Sequence, residues 1–160
     1  MGRVHLVVMG VAGSGKSTVA KAVADALGVP FLEGDSLHPP HNVEKMRRGE
    51  PLNDADRAGW LDAIAAWMRR HPDGVVSCSA LKRAYRERLL AGGSVRFVHL
   101  AVPADVLALR LAAREGHFMP ASLLPSQLAE LEPLQPDEPG FAVDGTLPLE
   151  ELVRRIRTSR

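Results

Sequence analysis

The sequence predicts an α/β domain in which a parallel sheet is covered by helices on both faces. Five short apolar segments recur at residues 4–9, 30–33, 74–78, 95–102 and 141–144, separated by stretches with helical spacing. Strands that alternate with helices in this way are parallel and bind ligands at their carboxyl ends. The chain has 160 residues, 46% of them hydrophobic, which suits one domain that buries a core without disulfides or a metal. The third observation is a glycine-rich octet set between the first apolar segment and the first helical one.

That octet, residues 10–17, reads GVAGSGKS and matches G-x-x-x-x-G-K-[ST] in full. At average residue usage the pattern arises by accident in roughly half a per cent of chains this long. Apolar positions Val19, Val23 and Leu27 then repeat with helical spacing, so strand, loop and helix follow in the required order. Gly10, Gly13, Ser14 and Gly15 form a loop whose backbone amides point into one concavity at a helix N-terminus, a cradle for phosphate. Lys16 reaches the β and γ phosphates of ATP, the Ser17 hydroxyl ligates Mg²⁺, and Thr18 lies near the α phosphate.

The second strand ends in FLEGD. Residues two apart on a strand share a face, so Glu33 and Asp35 are expected to point the same way, and two like charges kept together need a cation or a reacting proton. Glu33 is assigned to the outer shell of Mg²⁺ and Asp35 to the proton of a substrate hydroxyl. An Asx turn over Ser36 and Leu37 is the plainer reading of Asp35.

Asn53 is placed as the N-cap of the next helix, whose apolar stripe runs through Trp60, Leu61, Ile64, Trp67 and Met68. Arg57 lies on that stripe one turn before Leu61, where it either overhangs into solvent or meets an anion such as a substrate carboxylate. After the fourth helix is reached through Cys78-Ser79-Ala80, Lys82 and Arg86 stand four residues apart, an unfavourable spacing for two cations unless an anion lies between them. Arg110 and Arg114 repeat that spacing near the end of a later helix. In a phosphoryl transferase such a pair stacks on adenine and neutralises the γ phosphate; otherwise it is a solvated basic face.

Residues 116–139 contain five prolines and a short helical stretch at about 126–131. Such an insertion reads as a lid. The last helix, about 149–157, is amphipathic through Leu149, Leu152, Val153 and Ile156.

Composition narrows the function classes. The net charge is +1, with 20 basic and 19 acidic residues dispersed, so no basic face points to nucleic acid or an anionic membrane. Only four of the cations are lysines, Lys16, Lys21, Lys45 and Lys82. The lone Cys78 lies in an apolar run and suits a reducing compartment. Without a leader pattern or a long apolar run, the reading is a soluble cytoplasmic protein. His38 and His41 lack a third ligand at a metal-binding spacing.

The chain resembles the gluconate kinases, a family of P-loop small-molecule kinases. The likeness rests on GVAGSGKSTVA at 10–20, FLEGDSLHP at 31–39, NVEKMRRGEPLNDADRAGWL at 42–61, CSALKRAYR at 78–86, RLAAREGHF at 110–118 and VDGTLPLEELV at 143–153. It implies ATP-dependent phosphorylation of D-gluconate at its 6-hydroxyl, a five-stranded P-loop sandwich of strand order 2-3-1-4-5, a lid over about 116–139 and a homodimer. It further implies catalytic Lys16, Asp35 and Arg114, adenine-stacking Arg110, and substrate contacts from Asp35, His38, Arg57, Lys82 and Arg86. Two rivals share the architecture, an adenylylsulfate kinase and a shikimate kinase, which normally has a Gly-Gly-Gly turn at the position of Cys78-Ser79-Ala80. A GTPase-like switch is disfavoured, since D-x-x-G at Asp56 to Gly59 falls inside a predicted helix and no N-K-x-D exists.

Overall fold

The computed structural model describes residues 4–113 and 123–159. Its centre is β1 (His5–Met9), in which every residue is buried. β1 runs parallel between β3 (Gly74–Ser77) and β4 (Val95–Ala101), with Val7 level with Val76 and Phe97. β2 (Phe31–Glu33) lies outside β3 and β5 (Gly140–Asp144) outside β4, giving the order β2-β3-β1-β4-β5. That is the expected order, and the strand ends fall within a residue of the apolar runs. Central strands read as unbroken Val-rich runs because helices cover both of their faces.

On one face lie α1 (Lys16–Leu27) and α7 (Leu149–Ser159), whose Val19, Val23, Leu152 and Ile156 pack with Leu6 and Val8. On the other, α3 (Asp54–Arg70) and α4 (Arg83–Leu89) press Trp60, Ile64, Met68 and Leu89 against Val7, Val76 and Phe97. A third cluster gathers at the carboxyl ends of the strands. There Val11 and Ala12 meet Met46 of α2 (Pro40–Arg47), Leu107 and Leu111 of α5 (Ala104–Ala112), and Leu124 of α6 (Leu124–Glu130).

Helix ends follow their sequence signals. α1 stops at Gly28, whose left-handed backbone lets its amide reach the carbonyls of Ala24 and Asp25. α3 starts at the expected Asn53, which accepts from the Asp56 amide at 2.8 Å while Asp56 Oδ2 accepts from the Asn53 amide at 3.0 Å.

The described half of the expected lid, residues 123–139, is docked rather than free. The Glu132 amide donates to the Leu81 carbonyl at 2.7 Å, Arg83 holds Asp137, and Arg86 holds Glu138. Prolines 133, 136 and 139 keep this strip extended, and the ion pairs pin it along α4. The remainder of the expected lid, 116–122, lies outside the described residues. Among the described residues no helix is long and apolar enough to cross a membrane.

Candidate active site

At the carboxyl end of the sheet, residues of the octet form one wall of a cavity of about 560 Å³ that also includes Asp35, Arg110, Gly145, Leu147, Leu149 and Leu152. The loop leaves β1 and turns into α1 through Gly13 and Gly15, both with positive φ, 85° and 87°. A side chain at Gly13 would meet Leu111 at 3.1 Å, so sterics and backbone sign both require glycine there. The Ser14 hydroxyl is buried with no partner, and Lys16, only 9% exposed, makes no ion pair among the described residues. A buried cation and an orphaned hydroxyl beside a helix N-terminus form a site that lacks only an anion.

Asp35 joins this wall by a route that differs from the expected one. The strand stops at Glu33, and Gly34–Leu37 forms a 3₁₀ turn. Gly34 sits so close to β3 that a Cβ would lie 2.1 Å from the Ser77 carbonyl oxygen, while that of Gly34 accepts from Trp60 Nε1 at 2.8 Å. Glu33 and Asp35 therefore do not share a face. Glu33 accepts from the Ser77 hydroxyl at 2.7 Å, while Asp35 lines the cavity.

His38 stacks on Trp60, with ring centroids 4.0 Å apart, and its Nδ1 accepts from the Asn42 amide at 3.1 Å. Burial, helped by the nearby Arg57 charge, pushes the imidazole down to about 4. It is neutral at pH 7 with its proton on Nε2, so its 3.8 Å approach to Asp35 is not an ion pair. His41 contacts Asp56 on the surface and takes no part in a metal cluster.

Arg57, 6% exposed, meets an anion as one of its two readings required. Its Nη1 donates to the Tyr85 hydroxyl at 2.9 Å and to Glu130 Oε2 at 2.6 Å. The Tyr85 hydroxyl in turn donates to Asp54 at 2.5 Å, and Lys82 Nζ lies 3.4 Å from the same Asp54 oxygen and 5.5 Å from the Tyr85 ring centre. Arg57 of this group lies near His38, whose Nε2 is 3.8 Å from Asp35. The charges of Asp35, Lys16 and Arg57 all act on Cys78, whose thiol burial pushes up to about 12. Cys78 itself is an inert core residue.

Arg86 is the correction in this group. Lys82 is the N-cap of α4 and stands outside it, so the two cations do not flank one anion. Arg86 is 1% exposed and grips Glu138 with two bonds, of 2.7 and 3.1 Å, while its Nη1 donates to the carbonyls of Ala80 and Leu81. Ala80 has a φ of 44°, in the region glycine favours, and Arg86 clamps that turn. Four of its five N–H donors are engaged within the protein, which favours a structural role.

Arg110 reaches the nucleotide side of the cavity. Its Nη1 donates to the carbonyls of Gly13 and Ser14 at 3.1 and 3.3 Å and its Nη2 to that of Gly145 at 3.5 Å, which fixes the guanidinium in the wall that contains Leu147 and Leu149. Arg114 lies outside the described residues. Sequence reasoning missed Gln127, whose Oε1 accepts from the Ala12 amide at 2.7 Å, and Glu130. It also missed the apolar wall of Leu147, Leu149 and Leu152.

The comparisons with known proteins agree with this geometry. A family model described as an AAA domain matches residues 6–134. A gluconokinase from Gluconobacter oxydans is 53% identical, over 95% of this chain and 90% of its own length. The crystal structure of a gluconokinase from Sinorhizobium meliloti superposes with a TM-score of 0.85 at 51% identity, over 96% of this chain and 87% of that one. An unliganded sugar kinase from Janibacter sp. superposes with a TM-score of 0.93 at 51% identity, over 99% and 94%. With this identity sustained over nearly all of both chains, the protein belongs to the gluconokinase family.

Proposed function

We propose that the protein transfers the γ-phosphoryl group of MgATP to the 6-hydroxyl of D-gluconate, forming 6-phospho-D-gluconate and ADP. The observation that carries this reading is one cavity lined by both Lys16 and Asp35, with the Arg57 charge near His38, which lies 3.8 Å from Asp35. The loop amides and Lys16 hold the β and γ phosphates, and the apolar wall of Leu147, Leu149 and Leu152 with Arg110 receives the adenine. Asp35 accepts the 6-hydroxyl proton as that oxygen bonds to phosphorus and the bond to the ADP oxygen breaks. Arg57 and Lys82 receive the carboxylate at the other end of the acid, and His38 lines the path between.

The donors present suit Mg²⁺, which takes oxygen ligands and keeps several waters. Ser17 and Asp35 line the cavity together, and no group of three or more His, Cys, Asp or Glu among the described residues would hold a metal without the nucleotide. Bound there, Mg²⁺ would neutralise phosphate charge. A cytoplasmic homodimer belongs to the same proposal.

The test is a kinase assay over sugar acids and neutral sugars. Gluconate is expected to exceed glucose by about a hundredfold in kcat/KM, because glucose offers the hydroxyl but brings no anion to the buried guanidinium. Arg57→Ala narrows the gap by raising the KM for gluconate and leaving that for glucose nearly unchanged. Phosphorylation of shikimate or adenylylsulfate without gluconate would reassign the acceptor, and a preference for GTP would favour a switch.

Arg114 is assigned the charge that develops on the γ phosphate. Arg110→Ala is expected to raise the KM for MgATP about tenfold with kcat little changed, and Arg114→Ala to lower kcat, since stacking acts in the ground state and the γ-phosphate contact strengthens in the transition state. Equal small effects in steady-state kinetics would return both to a solvated face.

A further inference from the structure

Both cations on the acceptor side are already paired within the protein, and the pairs differ in kind. Lys82 meets Asp54 at 3.4 Å, and that carboxylate is 74% exposed, so water competes with it throughout. Arg57 meets Glu130 at 2.6 Å with side chains only 7% and 19% exposed, a short charge-assisted bond mostly removed from water. The same Nη1 donates to Tyr85, so both of its protons are committed. Glu130 is delivered by α6, which is anchored one turn earlier where Gln127 accepts from the Ala12 amide. Its carboxylate is thus held against Arg57 by the fold.

An acid that needs this guanidinium meets a resident carboxylate already on it, and two carboxylates crowded onto one cation repel each other. Resting on the function proposed above, we propose that Glu130 is a resident competitor for the acceptor's carboxylate, holding its place on Arg57 in the free enzyme and yielding it when the acid binds. An acid restores the pair on Arg57 but leaves Glu130 to be rehydrated, so the exchange costs part of the acid's affinity. A neutral polyol that displaced Glu130 would leave two poorly hydrated charges unpaired, which is strongly unfavourable. Only another anion therefore competes with Glu130 for the guanidinium, while a neutral polyol leaves that pair intact.

The experiment compares wild type with Glu130→Gln, which keeps the size and an acceptor oxygen but loses the charge. Titration calorimetry measures the Kd for gluconate and for glucitol, its neutral relative of the same chain length. Removing the rival is expected to tighten gluconate by about tenfold without a matching gain for glucitol. Gluconate should also raise the melting temperature of the variant more than that of wild type. A residue that merely braced Arg57 would give the opposite sign, so weaker or unchanged gluconate binding overturns the proposal. Should Glu130→Gln fail to fold by circular dichroism, Glu130→Asp draws the carboxylate back by one methylene and is expected to tighten gluconate by a smaller factor, with no gain again overturning the exchange. Wild-type protein that fails to phosphorylate gluconate would instead overturn the function, and is read separately from either variant.

Discussion

Lys16→Ala is expected to lower kcat by about a thousandfold at saturating MgATP and gluconate, the range seen when a fixed electrostatic partner of the transition state is removed. The residue is 9% exposed, starts α1 and makes no ion pair among the described residues, so its charge is held ready for the phosphates and is not shared with a carboxylate. In water a mobile cation would have to be recruited at the moment of reaction. Here the orientation is set beforehand by the turn through Gly13 and Gly15, and the β and γ oxygens meet a charge that has no further rearrangement to make. Single-turnover measurement of ADP release checks this, and a near-normal rate would remove the loop from the chemistry. Folding should be little affected, because the lost group relieves a buried unpaired charge.

The second large effect concerns the acceptor's proton. Asp35→Asn is expected to cut kcat by about a thousandfold while leaving the Kd for MgATP within about threefold, since an amide keeps the size but accepts no proton. The 3₁₀ turn that carries Asp35 is fastened to Trp60 through the Gly34 carbonyl and to β3 by close packing, so the substitution leaves the backbone in place. Neutral His38 does not replace the lost base, because its Nδ1 already accepts from Asn42 and its Nε2 carries the proton. A raised KM for gluconate with kcat unchanged would make Asp35 a binding group and leave catalysis to positioning alone.

How much of this was legible before the structure depended on the range of each interaction. β1, the loop and α1 were readable because their glycines, lysine and apolar spacing act within a few residues. Asn53 as a cap was readable for the same reason. The strand order came from the family likeness, since periodicity alone does not say which strands pair. Arg86 was misread because its anion, Glu138, lies 52 residues away and only the docked strip brings it near. The shared face of Glu33 and Asp35 was misread because the rule for alternate residues assumes the strand continues, and Gly34 ends it. Gln127 and Glu130 gave no signal at all: on a short helix in a proline-rich stretch they look like ordinary surface residues, and each acquires a role only through a partner from the opposite part of the chain.

The bond between Gln127 and the Ala12 amide spans 115 residues, and β1 takes both neighbouring strands from segments beyond residue 73. The octet is therefore translated ahead of the segments that pack against it. Long-range pairings of this kind close slowly. The cradle's support at Ala12 is complete only once α6 has docked, so the nucleotide site depends on a segment more than a hundred residues downstream of it.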